Sequence, residues 1–487
     1  MRLARGGGVL VRVAAVVVAV AVGVPALLLA PWPPEVGSAA TGDAALGRLV
    51  RQHAGADGYE GLSVALIEGG RTRFAGLGTG DGSRPADQDT AYEIGSVAKV
   101  MTGMLLADLA GKGLSPDTPV RDLLPDAGLS TPATLAELAS HRSGLPRQRM
   151  TPQLLAGVML MSYTGRNPYG VAGRDEVLAD AAAVGSEGRG EVAYSNLGMA
   201  LLGLALAERS GMRYADLLRT GLLDPLGMAS TVVIDPQDDL PARHAVGRAR
   251  NGLVMDPWRD HGNAGAGGAF WSTAGDLARL VAAVMDGSAP GADAAAARWD
   301  ETERRRIGYG WFTTRYGDRA LTWHNGATGG FTSFVGFDPV AQRGVVVLGN
   351  TSKSVDSLGL RLLGVEEEGG ERGLSLVTMV VMVVFAFGGL GLAVSAARGR
   401  VPDRLSAVGR WLTALLLVVV ARNGGPWDVV PPLVWIVGAG VLAAAAALTV
   451  VRWPGLPLSR GGAVWWSWAG VALPGVLLVV LGVALVV

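Results

Sequence analysis

Two residues stand at a spacing that can do chemistry. In EIGSVAKVMTGMLLADLA, Ser96 follows a glycine at the start of an apolar helical pattern and Lys99 lies three residues on. Residues i and i+3 share a helix face, so the hydroxyl and the amine can meet. A serine hydroxyl is a weak nucleophile until a base takes its proton, and a desolvated lysine can be that base because burial disfavours its charged form. A helix N-terminus adds a favourable dipole and free backbone N–H groups for an oxyanion. With 24 serines and three lysines in the chain, one S-x-x-K match arises by chance with a frequency of roughly one in seven. The surroundings raise its weight: Val97, Ala98, Val100, Met101 and Met104 are costly company for an ammonium without a purpose. Downstream, AYSN offers Tyr194 as a proton relay and Asn196 as a contact for a substrate amide. WHNGATGG places His324 at the end of a strand pattern, followed by glycines that let substrate approach the backbone.

These residues need a scaffold, and the patterns around them describe one. GLSVALIEGGRTRFAGLG reads as two strands joined by a Gly-Gly turn, and RALTWHNG, FTSFVGFDP and RGVVVLGN as three more near residue 350. Between them the patterns are mainly helical, including VAKVMTGMLLADLAGKG and NLGMALLGLALAERSG, each closing on a glycine. The simplest assembly is an α/β domain over 41–351, with an antiparallel sheet built from both ends and an all-helical lobe inserted between.

Composition sets the remaining bounds. Of 487 residues, 49% are hydrophobic and 17% charged, more apolar than an ordinary soluble domain. Lys+Arg and Asp+Glu are both 42, so no global field favours nucleic acid as a partner. Cysteine is absent, and the five histidines never take a metal-ligand spacing, so we expect no metal and no cofactor. Residues 1–40, with Arg2, Arg5 and Arg12 before the apolar run Val13 to Ala30, read as a signal peptide or an N-terminal membrane anchor. After a linker at 352–373, residues 374–487 read as a membrane domain of about four helices: Leu374 to Ala397, Trp411 to Ala421 (short for a span), Val429 to Val451 and Gly461 to Val487. Arg398, Arg400, Arg404 and Arg410 fill the first loop, and Arg452 and Arg460 the third. The positive-inside rule then puts both loops in the cytoplasm and 41–351 outside it, making a multi-pass membrane protein in contact with lipid.

The ordered series S-V-A-K, Y-S-N and H-N-G resembles the three motifs of the serine β-lactamase and penicillin-binding-protein family, in particular its class C β-lactamase-like and esterase branch. LASHRSGLPR, LLDPLGM, GGAFWSTAGDLARLVAAVMD and GFDP extend the similarity over most of 41–351. The resemblance implies Ser96 as acylated nucleophile, Lys99 as base and Tyr194 as proton relay. It further implies Asn196 as a substrate contact and the N–H groups of Ser96 and Ala327 as the oxyanion hole, with Gly326 between His324 and Ala327. His324 takes the place of the family's third-motif lysine, which helps bind a substrate carboxylate. A mostly neutral histidine there favours esters or D-amino-acid peptides over β-lactams. The implied activity is hydrolysis of an ester or amide, with a small-molecule or peptidoglycan-type substrate, through a covalent acyl-enzyme. The alternative is a membrane receptor that captures penicillin or peptidoglycan, or a catalytically silent homologue. No G-x-S-x-G elbow supports another hydrolase fold. The apolar runs lack the Asp, Glu, Lys and His expected of a transport pathway. Oligomeric state is not legible.

Overall fold

A computed structural model describes residues 26–55, 58–365, 370–459 and 464–486. The signal or anchor read into residues 1–40 therefore lies largely outside the described residues.

Among the described residues twelve strands form two sheets. The larger takes β1 (Ala40–Gly42), β2 (Gly61–Glu68) and β3 (Arg71–Gly78) from the start of the domain. Its other members are β7 (Trp299–Asp300), β8 (Arg305–Ile307), β9 (Phe312–Tyr316), β10 (Arg319–Ala327), β11 (Thr332–Asp338) and β12 (Arg343–Gly349). The order is β1-β3-β2-β12-β11-β10-β9-β8-β7, antiparallel throughout, and β2 beside β12 is the seam where the two ends of the domain meet. A second, three-stranded sheet holds β4 (Ala91–Glu93), β5 (Val232–Val233) and β6 (Phe270–Thr273) in the order β4-β6-β5. This is the α/β plan expected from sequence.

The seam strands are apolar at consecutive positions because both their faces are covered. Alternation sends Val64, Leu66, Val345 and Val347 to one face, where they pack with helix α1 (Ala44–Ala54) through Leu46 and Val50. Ala65, Ile67, Val346 and Leu348 face the other way, into the larger core shared with the helical lobe. That lobe contains α2 (Ala98–Gly111), α3 (Pro152–Thr164) and α4 (Asn196–Ser210), while α5 (Ala274–Met285) lies directly on this face of the sheet, against β2 and β12. Helix α2 is buried on every side from Ala98 to Leu106, so its apolar residues show no stripe.

Two sequence expectations change. The stretch read as a linker begins with a helix, α6 (Asp356–Leu362), whose Leu358, Leu360 and Leu362 complete the apolar layer beneath the sheet. The short run Trp411 to Ala421 is the middle of a 21-residue helix. Asp403 caps its start by accepting from Ser406 N at 2.8 Å, and the helix runs through Arg404 and Arg410.

The C-terminal region holds α7 (Gly370–Ala386), α8 (Leu390–Ala397), α9 (Arg404–Gly424), α10 (Leu433–Arg452) and α11 (Val464–Val486). Among the described residues three helical segments are long and apolar enough to cross a membrane, Leu376–Ala397, Arg404–Gly424 and Leu433–Gly455. Helix α11 is apolar and carries Pro474 inside it. The basic loops meet at one end of the bundle, where Arg404 N donates to Pro457 O and Arg452 donates to Ala397 O, both at 3.0 Å. The sheet domain docks at the other end: Asn251 Nδ2 donates to Asn423 Oδ1 at 3.2 Å, and Asp428 lies 3.8 Å from Arg250 and 3.9 Å from Lys353.

Candidate active site

Ser96 sits on a single 3₁₀ turn, Gly95–Val97, between β4 and α2. Three backbone segments converge there, and glycine is what lets them. Gly95 takes φ +49°, and a Cβ on it would stand 2.9 Å from Ala327 O. A Cβ on Gly326 would stand 2.1 Å from Ile94 O. Ser333 Oγ, on β11, donates to that same carbonyl at 2.7 Å, fastening the turn to the sheet.

Lys99 Nζ lies 2.8 Å from Ser96 Oγ and 2.6 Å from Ala266 O, and the side chain is fully buried. Burial, and then the positive charge of Arg147, hold its pKa well below that of an ordinary lysine. A neutral amine in this place donates to Ala266 O and leaves its lone pair for the Ser96 proton. The Tyr194 hydroxyl is close to Ser96, and burial pushes its pKa up to about 12. Its ring lies 5.1 Å below Lys99 Nζ and 5.3 Å from the Arg147 guanidinium. Tyr194 is therefore a protonated donor at neutral pH.

The Y-S-N loop is held by its middle residue. Ser195 Oγ donates to Pro146 O at 2.7 Å and accepts from Gly198 N at 2.9 Å, capping α4, while Ser195 N donates to His141 Nδ1 at 3.2 Å. Asn196 opens the helix, and its Oδ1 is buried without a hydrogen-bond partner among the described residues. Ala327 N–H is directed at the serine turn. Thr328 N donates to Phe331 O, so by antiparallel alternation the neighbouring pair Ala327 and Thr332 is the non-hydrogen-bonded one. Ser96 N–H lies in a first helical turn, where amides have no intrahelical acceptor. Ser96 and Ala327 line one small space.

That space is a cavity of about 130 Å³, with Ser96, Arg147, Leu154, Asn196, Asp260 and Ala327 in its wall. His324, expected as a substrate contact, lies beside Lys99 and Tyr194. It is fully buried, 5.5 Å from the Phe312 ring and 6.2 Å from the Tyr194 ring, and these two pack against it. Burial pushes its pKa down to about 3, and Nδ1 lies 2.6 Å from Asn325 O. Gly326, also expected at the substrate, is where β10 passes close to the backbone of Ile94.

Sequence reading missed three groups. Arg147 is exposed toward the cavity, whereas its neighbour Arg149 is paired with Asp180 at 3.1 Å. Asp260, also in the wall, has its pKa raised by burial to about 7. Glu93, buried just before the serine turn, is raised by burial to about 8 and accepts from Trp258 N. Arg147 lay inside the quoted segment LASHRSGLPR, but nothing in its spacing pointed at Ser96.

Residues 46–366 match the family described as Beta-lactamase. Over 238 residues the chain is 30% identical to the D-alanyl-D-alanine-carboxypeptidase/endopeptidase AmpH of Escherichia coli (strain K12), covering 46% of this chain and 57% of that protein. Over 166 residues it is 32% identical to Penicillin-binding protein 4 of Amycolatopsis lactamdurans, covering 32% of this chain and 40% of the other. The chain thus spans about half the length of the curated relatives it matches. Among solved structures, the class C beta lactamase from Rhodobacter sphaeroides superposes with a TM-score of 0.51 at 24% identity, over 63% of this chain and 93% of that one.

Proposed function

Because this chain belongs to the beta-lactamase family, we propose that it is a membrane-bound serine hydrolase acting on an ester or amide through a covalent acyl-enzyme on Ser96. The observation that carries the reading is a fully buried lysine of depressed pKa, 2.8 Å from the serine oxygen. Ser96 Oγ attacks the substrate carbonyl carbon while Lys99 takes its proton, and the negative oxygen of the tetrahedral intermediate is received by the N–H groups of Ser96 and Ala327. The bond to the leaving oxygen or nitrogen then breaks, and Tyr194 supplies the proton that group takes away. Water, giving one proton back through Tyr194 and Lys99, attacks the ester on Ser96 and releases the acid with the serine restored.

The cavity is small beside the roughly 300–1,000 Å³ of ordinary ligand pockets, so it receives the scissile group and the rest of the substrate lies along its rim. Asn196 Oδ1 suits an N–H of the substrate. Arg147, not His324, supplies the charge for an anionic group beside the scissile bond, which removes the charge argument that His324 offered against β-lactams. D-amino-acid peptides, esters and β-lactams bearing a carboxylate all fit this description. The basic loops at one end of the bundle and the docked domain at the other support a catalytic domain on the outer face of the membrane.

The test is fluorophosphonate labelling and intact-mass analysis of the full chain in detergent, with esters, D-amino-acid peptides and β-lactams as substrates. Label and acyl mass are expected on Ser96 and absent in Ser96→Ala. Full labelling of Ser96→Ala would remove the assignment.

A further inference from the structure

Helix α3, PQLLAGVMLMSYT, is apolar on every face, carries no charge, and has no buried residue. Leu155, Val158 and Met159 are 49%, 37% and 66% exposed, and Met150 just before it is 53% exposed. A helix apolar all round belongs in a protein core or in hydrocarbon, and this one is not in the core. It packs against α9 and α11, of which α9 is long and apolar enough to cross a membrane. The apolar surface continues past the end of α3. The chain from Asn251 to Asp256 turns beside it, with Asp256 N donating to Gly165 O at 2.7 Å and Val254 49% exposed, and Asn251 ties this turn to α9.

The other face of α3 borders the candidate active site. Leu154 is part of the cavity wall, and two turns on, Met161 Sδ lies 3.7 Å from where a Cβ on Gly329 would be, two residues beyond Ala327. Positions 154 and 161 share a helix face, with 155 and 159 turned away from it. One helix thus touches both the edge of the hydrolytic cavity and the surface of the apolar bundle.

We propose that α3 is seated in the membrane interface and that the Ser96 site takes its substrate from the bilayer: an amphiphile whose hydrocarbon tail lies along α3 while its ester or amide, next to a polar head, enters the cavity. The proposal rests on the serine-hydrolase reading above. Lipid is the occupant the structure favours, because the exposed face of α3 is continuous with α11, whose outer surface is itself apolar and exposed, as at Leu473, Val476 and Val480.

The chain has no cysteine of its own, so Met159→Cys can carry a single environment-sensitive fluorophore in the full chain reconstituted in phosphatidylcholine and phosphatidylglycerol vesicles. Quenching by doxyl-labelled lipid, with protection from aqueous iodide, is expected. Quenching by iodide alone, or protection from both quenchers as a protein partner would give, overturns the proposal. The kinetic arm compares p-nitrophenyl butyrate in solution with p-nitrophenyl palmitate in the same vesicles. The double variant Leu155→Gln, Met159→Gln is expected to keep butyrate turnover and to lose about tenfold or more on palmitate, as two apolar side chains leave hydrocarbon. An unchanged ratio of the two rates overturns the proposal. If the wild type turns over neither ester and Ser96 takes no label, the hydrolase reading fails, and with it the substrate claim, while the quenching result still decides where α3 lies.

Discussion

Replacing Lys99 with methionine separates the base from its packing. Methionine is unbranched, similar in reach and apolar, so it fills most of the space among Val97, Met101 and the other buried neighbours without a large void. Two interactions are lost: the 2.8 Å contact with Ser96 Oγ and the 2.6 Å donation to Ala266 O. The second leaves a buried carbonyl unsatisfied, about 1–3 kcal/mol, offset in part because an amine no longer has to be buried. Folding should therefore survive with a modest loss of melting temperature. The first removes the general base, worth about 10²–10⁴ in rate, or roughly 3–5 kcal/mol of transition-state stabilisation. The assay is kcat/KM on p-nitrophenyl butyrate and the second-order rate of fluorophosphonate inactivation, each across pH 5 to 10. Wild-type rates should rise with pH as Lys99 loses its proton, at a pH below the ordinary lysine value, and the variant should lack this limb. A variant within tenfold of wild type with the limb intact would refute the assignment of Lys99 as base.

Arg147→Met should shift the wild-type acid limb to higher pH, since a positive neighbour that disfavours the Lys99 ammonium is gone, and should lower kcat/KM about tenfold or more for substrates with a carboxylate near the scissile bond relative to neutral esters; equal losses on both classes would argue against an anion contact. Glu93→Gln should flatten the dependence of stability on pH. The folded pKa of Glu93 is raised from 4.5 to about 8, so the native state holds its proton more tightly, and wild-type stability falls as pH rises through that window by on the order of 4–5 kcal/mol at most. Melting temperatures of the two proteins should diverge between pH 5 and 9 in favour of the variant, and parallel curves would contradict the buried-acid reading. A cysteine at Ser406 should resist an impermeant thiol reagent in intact cells, because this basic end of α9 is read as cytoplasmic; labelling there would invert the topology.

The sheet was legible because its strands carry their burial in their spelling. A run such as VVVL on β12, flanked by turns, is long enough for a strand covered on both faces and too short for a helix, and the Gly69–Gly70 turn fixes the β2–β3 hairpin. The serine turn was legible for a similar reason, since nucleophile and base lie within one helical turn and no long-range contact is needed to bring them together. Boundaries that depend on tertiary contact were not. Helix α6 looked like linker until Leu358, Leu360 and Leu362 met the underside of the sheet, and α9 looked short because its arginines interrupt the apolar run although its hydrogen bonds continue through them.

The site's electrostatics were hidden for a different reason: they are properties of distance, and the groups that set them come from separate segments. Asp260 comes beside Glu93 and into one cavity wall with Arg147 only once the chain has folded, and no short window of sequence contains two of the three. His324 shows the converse. Its position in H-N-G is that of the family's charged third-motif residue, which suggests an exposed contact, but exposure depends on what covers the strand. The rings of Phe312 and Tyr194 pack against it, and on the proposed reading the charge comes from Arg147, which lines the cavity. A substitution within one motif therefore need not reduce the positive field at the scissile bond, because that field is set by which cation reaches the cavity and not by which strand carries it.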